Sequence, residues 1–497
     1  MRRTMARPVS GFLSTLIHRC LRPAIYMLSG ALLAITCVAI VVLNHKPEPN
    51  IWHDAVLTEE FTAASNIADL DAYRILEDKL FQQLETEVFA RIPDSAKTNY
   101  NRYHRGSRVD PTSWQTNWNR TFELPLAQAK MGVLLLHGMS DSPYSLRRLA
   151  KDFHADGAHV VGLRIPGHGT APSGLRQVTF EDMAAAVELA MVHLDSTLGD
   201  VPILVVGYSN GGALAVHYTA GAIADKTLPL PAGLILFSPE IGISPAAPLA
   251  SVQAWFGEIL GLGRLAWTSI LPEYDPYKYT SFAVNAGVQA YRATQLVRGR
   301  LEGLEIDGRI GEMPPILAFQ SAADSTVEAQ DLVTDLFNRL QPGGHELVIF
   351  DVNRMFETQG LLARPFDLAE GLLTGKSKAF TVSIVTNTDP RGPAVKLRAR
   401  AADETQVVER DLGLGWPADV YSLAHIALPF HRDDPVYGIG KAAAKQSDEQ
   451  NLQLGGLAVH GENNALAIPI SALTRQHWNP FYDLVEEKRR AFVPPLE

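Results

Sequence analysis

The chain has 497 residues, enough for two or three domains or for one domain enlarged by insertions. It carries 44 Lys and Arg against 54 Asp and Glu, a net charge of −10, which argues against nucleic acid as a partner. Its only two cysteines, Cys20 and Cys37, lie near the N-terminus, so the body of the chain has neither a disulfide framework nor a cysteine-based zinc site.

The N-terminal segment has the pattern of a membrane anchor. Residues 24–43 contain no charge and, as a helix, would be long enough to span the hydrocarbon core of a bilayer. Residues 1–23 contain arginines and no acid, so the positive-inside rule predicts a cytoplasmic basic segment and an extracytoplasmic body, facing the periplasm if the host is bacterial. A cleaved signal peptide and a mitochondrial transit peptide are the alternatives. We favour an uncleaved single-pass anchor, because no small-residue cleavage site follows the apolar run.

Residues 44–128 are predicted to form a stalk and an N-terminal helical region. An apolar stripe at helical spacing predicts one helix there with a single packing face. The stripe consists of Leu70, Leu76, Leu80, Leu84 and Val88.

From residue 131 onward, short apolar runs alternate with stretches that are long enough for helices. The runs are residues 131–138, 159–167, 202–209, 233–240 and 314–324. They are rich in Val, Ile and Leu without polar alternation, which is typical of parallel strands buried on both faces. We therefore predict that residues 129–497 form an α/β domain with a mostly parallel central sheet and helices on both faces. Ligands of such sheets bind beyond the carboxyl ends of the strands.

Ser209 ends one of these runs within Gly-Tyr-Ser-Asn-Gly, residues 207–211. A strand before the serine and a helix after it are the context of a nucleophile elbow. Gly207 and Gly211 fit that context, since side chains at either position would collide with neighbouring backbone in so sharp a turn. The pattern predicts an activated serine nucleophile.

Such a serine needs a base, the base needs an acid to orient it, and in elbow enzymes the acid and then the histidine follow the serine. Asp324 ends the last of the apolar runs, at the same sheet edge as Ser209, and is the predicted acid. Asp351 is the alternative. Ser325 and Glu328 have capping-box spacing, which would leave the Asp324 carboxylate free for the histidine.

His425 is the predicted base, because it lies in a turn-like segment downstream of the sheet strands. His431 and His460 are the alternatives. His345 precedes an apolar run and should lie at the opposite sheet edge. The separation of His425 from the acid predicts an insertion over about residues 353–415.

Acyl transfer also needs hydrogen-bond donors for the oxyanion. The turn after the first apolar run can direct the backbone N–H of Met139 to the site, together with the N–H of Asn210. His137 and His168 are expected to be structural. No pair of histidines has a convincing metal-ligand spacing, so neither a metal nor a cofactor is predicted.

Four segments together resemble the serine hydrolases of the α/β-hydrolase fold: LLLHGMSDSPYSLRRLA, LRIPGHGTAPSGL, VVGYSNGGALAV and SAADSTV. The branch that they resemble holds monoacylglycerol lipases, lysophospholipases, small carboxylesterases and serine aminopeptidase-like proteins. The resemblance implies that Ser209, Asp324 and His425 form the catalytic triad. It also implies a lid, which we place over residues 245–312. The alternative for the apolar helical stretch in this segment, residues 252–260, is a helix packed on the core.

These features lead us to expect a membrane-anchored serine hydrolase that cleaves carboxylic esters, lipid esters among them, through an acyl-enzyme. Thioesterase, peptidase and acyltransferase activities use the same triad and stay open, because the substrate pocket decides between them. The rival interpretation is a catalytically silent scaffold or binding protein with this fold. The oligomeric state is not predicted.

Overall fold

The computed structural model describes residues 46–242, 263–440, 453–456 and 466–493, with isolated residues between 23 and 34. Most of the predicted anchor, residues 24–43, and the first part of the predicted lid, residues 245–262, lie outside the described residues. Within the ranges that are described, no helix is both long enough and apolar enough to cross a membrane.

The strands are β1 (Phe122–Leu124), β2 (Met131–Leu136), β3 (Ala158–Leu163), β4 (Ile203–Tyr208), β5 (Gly233–Phe237), β6 (Trp267–Ser269), β7 (Phe282–Ala283), β8 (Ile316–Ser321), β9 (Glu346–Phe350), β10 (Thr381–Asn387), β11 (Ala394–Arg400) and β12 (Val407–Gly415). The helices are α1 (Ile51–Asp54), α2 (Leu70–Glu87), α3 (Arg147–Ala155), α4 (Phe180–Leu198), α5 (Asn210–Ala224), α6 (Val284–Ile306), α7 (Ala329–Asp335), α8 (Arg354–Thr358), α9 (Leu368–Thr374), α10 (Ile470–Leu473) and α11 (Tyr482–Phe492).

A ten-stranded sheet in the order β1-β3-β2-β4-β5-β8-β9-β10-β11-β12 organises the body. The seven strands from β3 to β10 in this order pair in parallel, whereas β1, β11 and β12 are antiparallel to their neighbours. The five apolar runs of the sequence coincide with β2, β3, β4, β5 and β8, and every residue of these strands is buried. The predicted α/β-hydrolase architecture with a mostly parallel sheet is therefore confirmed.

Both faces of the sheet are covered. In β2, Leu134 and Leu136 belong to one hydrophobic cluster, which also contains buried residues of α4, α5 and α6. Val133 and Leu135 belong to a second cluster, which contains residues of α3 and α11. Because successive side chains of a strand point to opposite faces, this alternation places helices on both sides of β2.

The N-terminal region packs against the sheet domain. Tyr73 of α2 is buried in the main core, and its hydroxyl donates to the carbonyl oxygen of Arg164 at 2.6 Å. The buried Arg164 side chain forms ion pairs with Glu77 at 3.0 Å and with Glu60 at 2.8 Å. Of the predicted stripe, Leu70, Leu80, Leu84 and Val88 are buried and Leu76 is half-buried. The helix therefore packs with the predicted face.

The described end of the predicted lid is part of the body. Helix α6 contributes Ala286, Ala293, Val297 and Leu301 to the main core, all of them buried. The predicted insertion, residues 353–415, contains α8, α9, strand β10, which is parallel to β9, and the antiparallel strands β11 and β12. It extends the sheet beyond β9, away from the strands that hold Ser209.

Candidate active site

Ser209 occupies the turn between β4 and α5, with φ of +54° and ψ of −118°. A non-glycine residue is strained in this region of φ, and such strain is typical of a nucleophile elbow. A Cβ on Gly207 would lie 2.5 Å from the carbonyl oxygen of Gly211, and a Cβ on Gly211 would overlap the carbonyl oxygen of Leu136. Both glycines are therefore required by close backbone approach, as the sequence pattern predicts.

His425 and Asp324 meet across 101 positions of sequence, with His425 Nδ1 2.8 Å from Asp324 Oδ2. Both side chains are buried. Burial opposes ionisation of Asp324, but the adjacent His425 and the N–H groups of Val327 and Thr326 outweigh it and lower the pKa of the carboxyl. An ionised carboxylate accepts the Nδ1–H, which leaves His425 Nε2 as the basic atom.

The capping-box prediction at Ser325 and Glu328 is wrong. Helix α7 begins only at Ala329, and neither cap side chain bonds to its first turn. Instead, Asp324 Oδ1 itself accepts the N–H groups of Thr326 at 2.8 Å and Val327 at 3.0 Å. The chain turns at Asp324 rather than starting a helix there, so one carboxylate orders both the turn and the histidine.

A contact between strand and loop holds the His425 segment beside the elbow. Ser321 Oγ, at the end of β8, donates to the carbonyl oxygen of Leu423 at 2.8 Å. The rings of Tyr208 and His425 lie 5.4 Å apart between centroids. Tyr208 precedes Ser209 directly, so the imidazole is located next to the strained turn.

The predicted oxyanion donors lie in the two turns nearest to the serine. A Cβ on Gly138 would lie 3.1 Å from Ser209 Cβ, so the loop after β2 runs directly against Ser209. Within the described residues, the N–H groups of Met139 and Asn210 donate no hydrogen bond. Both residues are buried. The two N–H groups are thus available to an oxyanion.

The alternative acid and histidines have other surroundings. Asp351 is paired with Arg354 at 2.8 Å and accepts from the Thr386 hydroxyl at 2.7 Å. His345 Nδ1 accepts from the N–H of Ile316, at the amino end of β8, which is the predicted opposite edge. His431 Nδ1 accepts the N–H of Asp433 at 3.0 Å. His460 lies outside the described residues.

His137 and His168 support the loops beneath the site. His137 Nε2 accepts the N–H of Ile165 at 3.0 Å, and its Nδ1–H donates to the carbonyl oxygen of Gly138 at 2.9 Å. Burial is the main cause that lowers the pKa of His137, and it lowers the pKa of His168 to about 4. Both histidines are therefore neutral and structural, as predicted. The described residues contain no cluster of His, Cys, Asp and Glu that is able to hold a metal ion.

Two polar side chains near the site were not predicted. Gln320 on β8 donates from Nε2 to Asp324 Oδ2 at 3.2 Å. Glu240 follows β5, and its N–H donates to the carbonyl oxygen of Ser209 at 3.0 Å. Its buried Oε2 has no hydrogen-bond partner among the described residues, and burial raises the pKa of this carboxyl to about 8. Both residues lie at or near the carboxyl ends of sheet strands, and that position is the signal that identifies them.

The match with a protein-family model covers the segment that carries the elbow and the predicted acid. The family model for serine aminopeptidase, S33, matches residues 127–352. A thermostable monoacylglycerol lipase from Bacillus sp. (strain H-257) is 37% identical over 87 residues, which are 18% of this chain and 34% of that protein. Phospholipase YtpA from Bacillus subtilis (strain 168) is 27% identical over 112 residues, 22% of this chain and 41% of that protein. The chain therefore spans well under half the length of either curated relative.

Among solved structures, a soluble variant of monoglyceride lipase from Saccharomyces cerevisiae aligns with 46% of this chain and 82% of its own, at 14% identity and a TM-score of 0.37. The family match covers β2 to β9, the strand-end Asp324 and the complete elbow. Residues 127–352 therefore match the serine aminopeptidase family and lie within the α/β-hydrolase fold of this chain.

Proposed function

We propose that the protein is a serine hydrolase that cleaves carboxylic esters through an acyl-enzyme intermediate. The observation that carries this proposal is the 2.8 Å bond between His425 Nδ1 and Asp324 Oδ2 beside the strained Ser209. A buried aspartate that orients a histidine next to an elbow serine is the arrangement that activates a hydroxyl for attack.

In the proposed reaction, Ser209 Oγ attacks the ester carbonyl carbon while His425 Nε2 accepts its proton. Asp324 stabilises the imidazolium, which then donates the proton to the leaving alcohol oxygen. Water attacks the resulting acyl-enzyme with His425 again as the base, and the acid is released. Each proton removed from an attacking oxygen is returned to a leaving oxygen, so no other co-reactant is needed.

The N–H groups of Met139 and Asn210 are proposed to stabilise the oxyanion in both steps. Two observations support this role. Neither N–H donates a hydrogen bond within the described residues, and Gly138 approaches Ser209 closely. Loss of one such donor typically lowers kcat by roughly 10²- to 10³-fold.

Lipid esters are the proposed substrates. The two Bacillus relatives are named as a monoacylglycerol lipase and a phospholipase, which supports a lipid ester for this chain as well. A cavity of about 440 Å³ borders Asp324 and His425 and offers space next to the proposed triad.

Labelling with a fluorophosphonate probe, followed by mass spectrometry, tests the mechanism. We expect the label at Ser209, no label in Ser209→Ala and strongly reduced labelling in His425→Ala. Ser238→Ala is the matched control, because Ser238 is another buried serine at a strand end with positive φ, 39°. Failure of the folded wild-type protein to react would contradict the proposal and favour a silent scaffold.

We also propose that residues 24–43 anchor the protein and that the body is extracytoplasmic. The support is the uncharged run with arginines before it. In a Ser196→Cys variant, a membrane-impermeant maleimide should react with the exposed helix position on intact cells or spheroplasts. Reaction only after lysis would contradict this orientation.

A further inference from the structure

A second cavity, of about 160 Å³, shares Ala472 and Arg475 in its wall with the cavity that borders Asp324 and His425. Its wall includes Asp141, from the loop that carries Met139, and Ile426, which follows His425. Tyr279 also lines the cavity. Its N–H donates to the carbonyl oxygen of Ser140 at 2.7 Å, which holds this part of the wall against the loop that carries Met139.

Two cationic side chains line this cavity without a hydrogen bond or an ion pair of their own. Lys278 and Arg475 form no hydrogen bond or ion pair through their side chains within the described part of the chain. Lys278 is half-buried, and desolvation lowers the pKa of its ammonium although nearby Asp141 opposes the shift. A lysine has three N–H donors and an arginine has five, so much unused donor capacity borders this small space.

The acceptors in the same wall are largely occupied. Asp275 accepts from the Tyr437 hydroxyl at 2.7 Å and from the N–H groups of Tyr277 at 2.9 Å and Lys278 at 3.0 Å. Asp141 accepts the N–H of Ser142 at 2.8 Å. Burial raises the pKa of Asp141 to about 6, and burial lowers the pKa of His477, also in the wall, to about 4. Asp141 and Asp275 lie close enough to Lys278 to act on its charge, but within the described residues neither accepts a hydrogen bond from the Lys278 or Arg475 side chains. The two cations therefore keep unused N–H donors, which favours a ligand with several anionic oxygens.

The cavity adjoins the histidine loop. In the proposed reaction His425 returns its proton to the leaving oxygen, and the next residue, Ile426, lines this cavity. The alcohol part of the ester is therefore the part that the cavity can receive. The acyl group is attached to Ser209 at that stage and is not the part of the substrate beside His425.

We propose that Lys278 and Arg475 bind an anionic oxygen group, phosphate or carboxylate, on the alcohol part of the substrate. This inference rests on the proposed esterase function and adds a substrate class to it: esters whose leaving alcohol carries an anion. Charge-assisted hydrogen bonds of this kind also orient the ester relative to Ser209.

The test compares two substrates that share one acyl chain, 1-acylglycerol and 1-acylglycerol 3-phosphate, with the purified full-length chain. We expect the wild type to have the higher kcat/KM for the phosphorylated substrate. Lys278→Met should lower the ratio of the two kcat/KM values by roughly 10- to 100-fold, mainly through KM, and Lys278→Arg should restore much of it. Lys226→Met is the matched control, since Lys226 pairs with Glu312 at an exposed site and its loss should leave the ratio unchanged.

Arg475→Met provides a second test at an exposed position, where substitution leaves the core intact, and it should also lower the ratio. Inorganic phosphate as an inhibitor of 1-acylglycerol hydrolysis separates the two sources of the anion. Competition that is lost in Lys278→Met indicates a site for free phosphate, whereas no inhibition combined with a preference for the phosphorylated ester indicates recognition of the substrate headgroup.

Equal rates for the two substrates in the wild type, or an unchanged ratio in both variants, would overturn the inference while leaving esterase activity established. Hydrolysis of neither substrate, together with absent labelling of Ser209, would overturn the proposed function and this inference with it.

Discussion

The serine elbow and the acid–histidine pair are built in different ways. The elbow is contiguous: Gly207, Ser209 and Gly211 fall within five positions, and backbone clashes alone explain the two glycines. Asp324 and His425 are separated by 101 positions and meet only because β8 and the loop after β12 pack together. A local constraint can be recognised in sequence, whereas a long-range pair depends on the whole arrangement of the sheet.

The insertion between Asp324 and His425 explains how the pair tolerates such a separation. Strands β10 to β12 add to the far edge of the sheet next to β9, and the chain then returns to β8. Growth at a sheet edge leaves the strands that hold Ser209 unchanged, so the insertion lengthens the chain without moving the acid.

We expect the largest effect when the long-range pair of Asp324 and His425 is broken. Asp324→Asn should lower kcat by roughly 10⁴-fold, because the amide cannot hold the His425 tautomer that leaves Nε2 basic. Esterase assays across pH check this expectation. Asp351→Asn is the control, since this acid at the end of the neighbouring strand pairs with Arg354 and should affect stability instead. Equal losses of kcat in the two variants would argue against Asp324 as the acid.

The local constraint is tested at Gly211. Gly211→Ala places a methyl group against the Leu136 carbonyl and should lower the free energy of unfolding by about 1–3 kcal/mol, with loss of fluorophosphonate labelling. Gly299 lies within α6, and a Cβ added there would have no atom within 4 Å. Gly299→Ala should therefore raise the free energy of unfolding by about 0.5–1 kcal/mol. Urea unfolding measures both changes, and a neutral Gly211→Ala would refute the steric explanation of the elbow.

The buried carboxyl of Glu240 beside the elbow should make the stability of the protein depend on pH. Burial raises its pKa to about 8, so the folded protein keeps a proton that the unfolded chain loses near pH 4.5. Its contribution to stability is complete below the unfolded pKa and is lost as pH rises through the folded pKa. Glu240→Gln has no such loss. Relative to wild type, the variant should therefore gain about 3–4 kcal/mol of unfolding free energy between pH 5 and pH 8. A pH-independent difference in urea unfolding would show that Glu240 ionises normally.

The smallest expected effect concerns the bond that holds the histidine loop. Ser321→Ala removes the 2.8 Å bond to the Leu423 carbonyl and should lower stability by about 1 kcal/mol and kcat/KM by roughly 3- to 10-fold, as His425 becomes less well positioned. Thr294→Val, which removes a buried hydroxyl bonded within α6, should cost stability without a loss of kcat/KM. Parallel losses in the two variants would mean that Ser321 only contributes to folding.

Five of the parallel strands, β2, β3, β4, β5 and β8, were predictable because each is a continuous apolar run buried on both faces, and the residues at their carboxyl ends followed from that placement. Strand β10 also pairs in parallel, but it lies within the predicted insertion and was not among these runs. The antiparallel strands were not predictable, because β12 is largely exposed and its Glu409, Arg410 and Asp411 give no apolar signal. The capping-box prediction at Ser325 failed because a turn formed where a helix start was expected. Ser325 and Glu328 have the spacing of a capping box. The N–H groups of Thr326 and Val327 nevertheless donate to the Asp324 carboxylate, and the helix begins only after this turn.

The sequence by itself determined the fold class, the elbow and the two glycines that it requires, because each depends on short-range periodicity or on steric clashes between near neighbours. The acid and the histidine could be proposed from their order in the chain, but only the tertiary structure brought Asp324 and His425 into contact. Only the tertiary structure decided that Glu240 is buried beside Ser209, and that Lys278 and Arg475 face one cavity without a hydrogen bond or an ion pair of their own among the described residues. Burial and pairing are properties of surroundings that distant segments supply, and no local pattern encodes them.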